Sequence, residues 1–196
     1  MTTIGIILVS TRPGRRGEPV ATWVHDIASR RSDAVFELVD LRDQALPHLD
    51  EPMPAMTGSY QRPHTRTWSS TIAAYDGFVF VTPEYNQGMP GMLKTALDFL
   101  FAEWRGKAAA IVSYGVAGGA VSAGQLRQLC GVLGIADVPT GVNLTLADDF
   151  TDYTAFTPRQ PAGVLLAKAL DEVVAWSNAL APLREAPAED REAASA

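Results

Sequence analysis

Cysteine occurs once in this chain, at Cys130, so no disulfide can close within it. Cys130 stands with Leu126, Leu129 and Leu133 at helical spacing, the pattern of a thiol packed in a core. Histidine is nearly as scarce. His25, His48 and His64 fall at no ligand-like spacing with one another or with the cysteine, so no metal centre is expected. Long apolar runs are missing too. The N-terminal run Ile4–Val9 is too short to span a bilayer, and its arginines follow it where a secretory signal would have them first. The cytoplasm is therefore the expected compartment, with no membrane partner. Positive charge is also short. Lys and Arg number 16 against 22 Asp and Glu, a net charge of −6, which argues against general attraction to nucleic acid.

What remains is an ordinary folded chain of 196 residues, 47% hydrophobic and 19% charged. That length suits one α/β domain, expected over residues 1–183, and buries a core without covalent staples. Residues 184–196, rich in Ala, Glu and Pro, read as a disordered tail. Strand-like and helix-like segments alternate between these limits. Ile4–Val9, Ala34–Asp40, Asp76–Thr82, Lys107–Ser113 and Val138–Leu144 read as strands. Arg16–Arg30, Gly91–Phe101, Val121–Leu133 and Gly163–Leu183 read as helices. The Pro-rich stretch Leu41–His64 reads as a long excursion on the substrate or partner side. The alternation implies a doubly wound parallel sheet with helices on both faces, whose ligands bind beyond the carboxyl ends of the strands.

Three unusual loops follow the first, third and fourth strands. Ser10-Thr-Arg-Pro-Gly-Arg-Arg-Gly17 brings two hydroxyls and the guanidiniums of Arg12, Arg15 and Arg16 to a helix start. Three such cations repel one another unless an anion sits among them, and a phosphate monoester suits the set. A solvated basic turn is the alternative. The loop has neither the Gly-Lys-Ser/Thr of a Walker loop nor GxGxxG spacing. Pro83-Glu-Tyr-Asn-Gln-Gly-Met-Pro-Gly91 offers donors, acceptors and an aromatic face that match a flat heterocycle, or else a turn chosen for its Pro and Gly. Tyr114-Gly-Val-Ala-Gly-Gly119 lets backbone amides point at a bound group, or else is a glycine-rich turn serving ordinary packing.

These loops resemble those of the NADPH-dependent FMN reductase family, most specifically in Thr82-Pro-Glu-Tyr-Asn-Gln-Gly-Met-Pro-Gly-Met-Leu-Lys-Thr-Ala-Leu-Asp98. The resemblance runs from the first strand to the final helix. It implies a flavodoxin-like, five-stranded parallel sheet in the order 2-1-3-4-5, bound FMN, and homodimers or homotetramers with sites near subunit contacts. By the same resemblance Ser10, Arg12, Arg15, Arg16 and Gly17 surround the FMN phosphate. Pro83, Glu84, Tyr85 and Asn86 border the isoalloxazine, and Tyr114, Gly115, Gly118 and Gly119 approach its pyrimidine edge. The chain departs from the family at Val9, usually Gly, and at Val121, often Arg.

The activity implied is hydride transfer from NADPH through FMN to a second small-molecule acceptor, with no acid/base dyad required from the protein. Free flavin, a quinone, an azo compound or a nitro compound could be that acceptor, and a flavin-dependent monooxygenase could receive reduced flavin. A flavodoxin-type one-electron carrier and a flavin-binding regulatory subunit are the alternatives. The aromatic excess between Trp68 and Trp104 suggests a surface buried against another subunit.

Overall fold

The computed structural model of the protein describes residues 1–185. Strands and helices alternate as β1 (Thr2–Leu8), α1 (Gly17–Ala28), β2 (Ala34–Asp40), α2 (Pro63–Ala73), β3 (Gly77–Pro83), α3 (Gly91–Asp98), β4 (Lys107–Gly115), α4 (Ala120–Leu133) and β5 (Ile135–Thr145). A short hairpin of β6 (Phe150–Thr151) and β7 (Ala155–Phe156) leads into α5 (Gln160–Ala179) and α6 (Ala181–Glu185). The five long strands form one parallel sheet in the order β2-β1-β3-β4-β5, the order the family resemblance implied.

Right-handed crossovers fix where the helices go. The winding reverses at β1, so α1 lies on one face and α2, α3 and α4 on the other, while α5 returns to the face of α1. The two faces are filled differently. Ile4, Ile6, Leu8, Val79 and Val81 meet α1 and α5 in a largely aliphatic layer. The opposite layer holds Trp68, Phe78, Phe80, Phe99 and Trp104. All five of these rings are fully buried within the chain. The aromatic excess therefore fills the protein's own core and does not form the subunit surface expected of it.

That correction follows from a helix the sequence reading left out. Pro63 sits in the first turn of α2, and Trp68 and Ile72, four residues apart, are buried against the sheet. The rest of the excursion before α2 contains a single 3₁₀ turn at Ala55–Thr57. Glu103 ties the middle of α2 to the segment before it, accepting from Ser69 at 2.6 Å and from Tyr60 at 2.8 Å. At the other end of the chain, Arg184 belongs to α6 and donates to Asp76 at 2.9 Å, so order extends past the expected start of the tail. Residues 186–196 of that expected tail lie outside the described residues. Among the described residues, no helix is long and apolar enough to cross a membrane.

Candidate functional site

Because the strands run parallel, β1, β3 and β4 end on the same side of the sheet, at the point where the winding reverses. The loops after them enclose a cavity of about 230 Å³. Its wall is made by Ser10 and Arg12–Arg16, by Pro83–Tyr85, by Tyr114–Val116, and by Leu146 beyond β5. The sequence reading thus brought the three loops together correctly. Pro13, Gly14, Val116 and Leu146 are the wall residues it did not single out.

One end of the cavity gathers arginine side chains. Helix α1 starts at Gly17, and no side chain hydrogen-bonds its first turn, where Glu18 is the one acidic residue. Ser10 Oγ lies 2.7 Å from the Tyr85 hydroxyl. The Arg12 guanidinium stands 5.5 Å from the centre of the Tyr85 ring. Arg16 donates Nε to the Tyr153 carbonyl at the tip of the β6–β7 hairpin. Among the described residues, neither Arg12 nor Arg16 is paired with a carboxylate. Two uncompensated guanidiniums, a hydroxyl and an open helix start fit a phosphate dianion.

Arg15 is the exception. Its side chain is only 2% exposed and forms a two-pronged ion pair with Asp40 at the end of β2. It also donates to the Ser10 carbonyl at 2.8 Å. The mutual repulsion read into three arginines is thus relieved at Arg15 by a protein carboxylate.

The second loop is held from both sides. Asn86 and Gln87 both take left-handed backbone angles, with φ of 51° and 58°, and the Tyr85 amide bonds the Gly88 carbonyl. Gln125 on α4 accepts from the Met89 amide at 2.8 Å. The Glu84 carboxylate turns away to α4, accepting from the Val121 amide at 2.8 Å and the Ser122 amide at 3.4 Å. Val121, one of the family departures, therefore contributes its backbone to a cap. Val9, the other, is fully buried.

Tyr114, at the start of the third loop, takes its direction from β4. Residues Ala108, Ala110, Val112 and Tyr114 of β4 all point to the α1 face of the sheet. The Tyr114 ring consequently passes beneath the first loop, where it forms part of the cavity wall. A Cβ at Gly17 would lie 2.5 Å from its hydroxyl, so only glycine fits there. Burial, and then the neighbouring Tyr85, push the phenol above the ordinary tyrosine range, with Ser10 opposing them. It stays protonated and can donate. Gly118 and Gly119 serve the loop itself. The Gly118 carbonyl accepts from Ser113 at 2.6 Å, and a Cβ at Gly119 would meet the Tyr114 amide nitrogen at 2.8 Å. Gly17, Asn86, Gly118 and Gly119 do not reach the cavity wall.

Fold and site together define a flavodoxin-like domain with an arginine-lined cavity at the switch point of its sheet. Residues 2–149 match the family of NADPH-dependent FMN reductases, and the chain belongs to that family. It is 46% identical over 146 residues to an NAD(P)H-dependent FMN reductase of Schizosaccharomyces pombe, covering 74% of this chain and 73% of that one. Identity to an NAD(P)H-dependent FMN reductase of a Nectria species is 42% over 154 residues, with 75% and 77% covered. The fold is also that of FerB, a flavoenzyme NAD(P)H:(acceptor) oxidoreductase of Paracoccus denitrificans. The TM-score is 0.69 at 22% identity, over 91% of this chain and 98% of that one. The protein is an oxidoreductase of FMN and NAD(P)H.

Proposed function

We propose that the chain holds FMN across the three loops and uses it to pass reducing equivalents from NADPH to a second small molecule. FMN supplies the two-electron redox chemistry that amino-acid side chains lack. Ser10, Arg12 and Arg16 would bind the phosphate, and Tyr114, kept protonated beneath them, would hold the loop against Gly17. Pro83, Tyr85 and the backbone of Gly115 would border the ring. The carboxylate of Glu84, committed to α4, is left out of that contact. Val116 is 84% exposed at the rim, and with Leu146 it gives the opening an apolar lip suited to a flat substrate. NADPH and the acceptor would use this one opening in turn, which predicts ping-pong kinetics. The acceptor classes proposed are free flavin, quinones, azo compounds and nitro compounds. Assembly into homodimers or homotetramers and delivery of reduced flavin to a monooxygenase rest on the family resemblance alone.

The observation that carries this reading is the pairing, in one cavity, of two arginines free of carboxylates with the Pro83–Tyr85 wall. Steady-state NADPH oxidation with FMN or menadione as acceptor tests it. Parallel double-reciprocal lines are expected. A chain that binds FMN tightly but does not consume NADPH with either acceptor would instead be a one-electron carrier.

A further inference from the structure

The loop between Leu8 and Gly17 has no regular structure, yet the Arg15 side chain within it is almost wholly buried and committed to acceptors of the protein. Every nitrogen of the Arg15 guanidinium has an acceptor within the protein. Nη1 donates to the Ser10 carbonyl at 2.8 Å and to Asp40 Oδ1 at 2.7 Å, Nη2 pairs with Asp40 Oδ2, and Nε reaches Glu18 at 3.4 Å. Asp40 is equally committed. It is the last residue of β2, beside Leu8 of β1 in register, and it also accepts from the Arg42 amide at 2.9 Å. The pair thus ties the start of the loop, at the Ser10 carbonyl, and its end, at Arg15, to the neighbouring strand.

We propose that Arg15 and Asp40 form a clamp that sets the position of the phosphate loop, and that Arg15 is a positioning residue and not a phosphate ligand. The proposal rests on the reading that Ser10–Gly17 binds the FMN phosphate. Charge supports the geometry. Asp40 raises the affinity of Arg15 for its proton, and the bonds from Arg15 and Arg42 outweigh burial to hold the Asp40 carboxyl below its ordinary value. Breaking a buried pair by removing one partner strands the other, so either substitution releases the loop.

The two possible roles of Arg15 predict opposite signs at Asp40. If Arg15 bound phosphate, Asp40→Asn would free its charge for the ligand and tighten FMN binding. As a clamp member, Asp40→Asn loosens the loop and weakens it. Apparent affinities for FMN and riboflavin would be measured on Arg15→Gln, Asp40→Asn and the double variant. Riboflavin lacks the phosphate and reports in the same titration that the fold and ring slot are intact. Each single variant is expected to lose about tenfold or more in FMN affinity and less than about threefold for riboflavin, with the double variant no worse than either. Arg15→Lys gives the same test without touching the carboxylate. It keeps the charge but not the two-pronged pair, and is expected to fall with the other variants. Unchanged or tighter FMN binding in Asp40→Asn, or full retention in Arg15→Lys, overturns the clamp. Arg12→Ala separates the two levels. If it too fails to distinguish FMN from riboflavin, the phosphate assignment falls; if it does distinguish them while the Arg15 and Asp40 variants do not, only the clamp falls.

Discussion

Two helices present their amino termini to the cavity region, and they are finished in opposite ways. At α1 the cap position is Arg16, no side chain bonds the first turn, and two carboxylate-free arginines stand alongside. At α4 the cap position is Gly119, which has no side chain to offer and no room for one. Its cap comes from 37 residues away, as the Glu84 carboxylate on the amides of Val121 and Ser122. The end amides of α4 are thus closed by a carboxylate bonded to them, while those of α1 carry no side-chain bond, although Glu18 lies in its first turn. For FMN bound as proposed, the difference would favour one orientation, with the phosphate beside Arg12 and Arg16 and kept from α4 by Glu84.

The strongest way to break the comparison is to fill the open end. In Gly17→Ala the new Cβ would stand 2.5 Å from the Tyr114 hydroxyl and 2.9 Å from Leu8 Cδ1. Overpacking of this kind costs about 1–3 kcal/mol, and it should be visible in thermal unfolding together with weakened FMN binding. Tyr114→Phe in the same chain removes the nearer atom and should restore part of the loss. A Gly17→Ala protein as stable as the parent would show that the first turn of α1 is not held where it is described. Of comparable size is Arg12→Ala, which would remove the proposed charge-assisted bond to phosphate, worth about 1.5–3 kcal/mol. FMN affinity should fall by that amount in calorimetry while riboflavin affinity stays nearly constant. Equal weakening of both ligands would take Arg12 out of the cradle.

The closed end should respond more mildly. Glu84→Ala leaves the first turn of α4 without its cap, a loss of about 1 kcal/mol, equivalent to a melting temperature lowered by roughly 2–4 °C in a chain this size. Glu84→Gln retains an acceptor oxygen and should lose less. If Glu84→Ala melts with the parent protein, the two helix ends do not differ energetically. The smallest effect concerns acid. The folded-state value of Asp40 lies below its ordinary 3.8, so the stability it contributes is full at neutral pH and is lost as pH falls through that lowered value. The difference in melting temperature between the parent protein and Asp40→Asn should therefore shrink on acidification. A gap that stays constant down to pH ~3 would mean the ion pair contributes nothing that titrates.

Much of the scaffold was visible in the chain itself. The strands at Ala34–Asp40 and Gly77–Pro83 are continuous or alternating apolar runs, and their type does not depend on distant partners. Helix α2 escaped because Trp68 and Ile72 stand among Arg, Thr and Ser, so its apolar face is too narrow to stand out without the sheet beneath it. The side-chain commitments in the site were hidden for a related reason. Asp40 lies 25 residues from Arg15, and Glu84 lies 37 from Val121, and no spacing rule joins them. Tyr114 is different. Alternation along Ala108, Ala110, Val112 and Tyr114 assigns its face once β4 is recognised, so its direction was legible and was passed over in favour of its loop.

Cys130, packed on the inner face of α4, has a practical use. It is fully buried, and burial first, with Asp137 adding to it, pushes its thiol up to about 12. At the pH of ordinary maleimide chemistry it carries almost no thiolate and is out of reach of the reagent. A probe can therefore be attached without first deleting the native cysteine. Val132, two residues further along the same helix, is 70% exposed, and Val132→Cys would offer the reagent a surface thiol. A spectroscopic label there would ride on the helix whose amino terminus Glu84 caps.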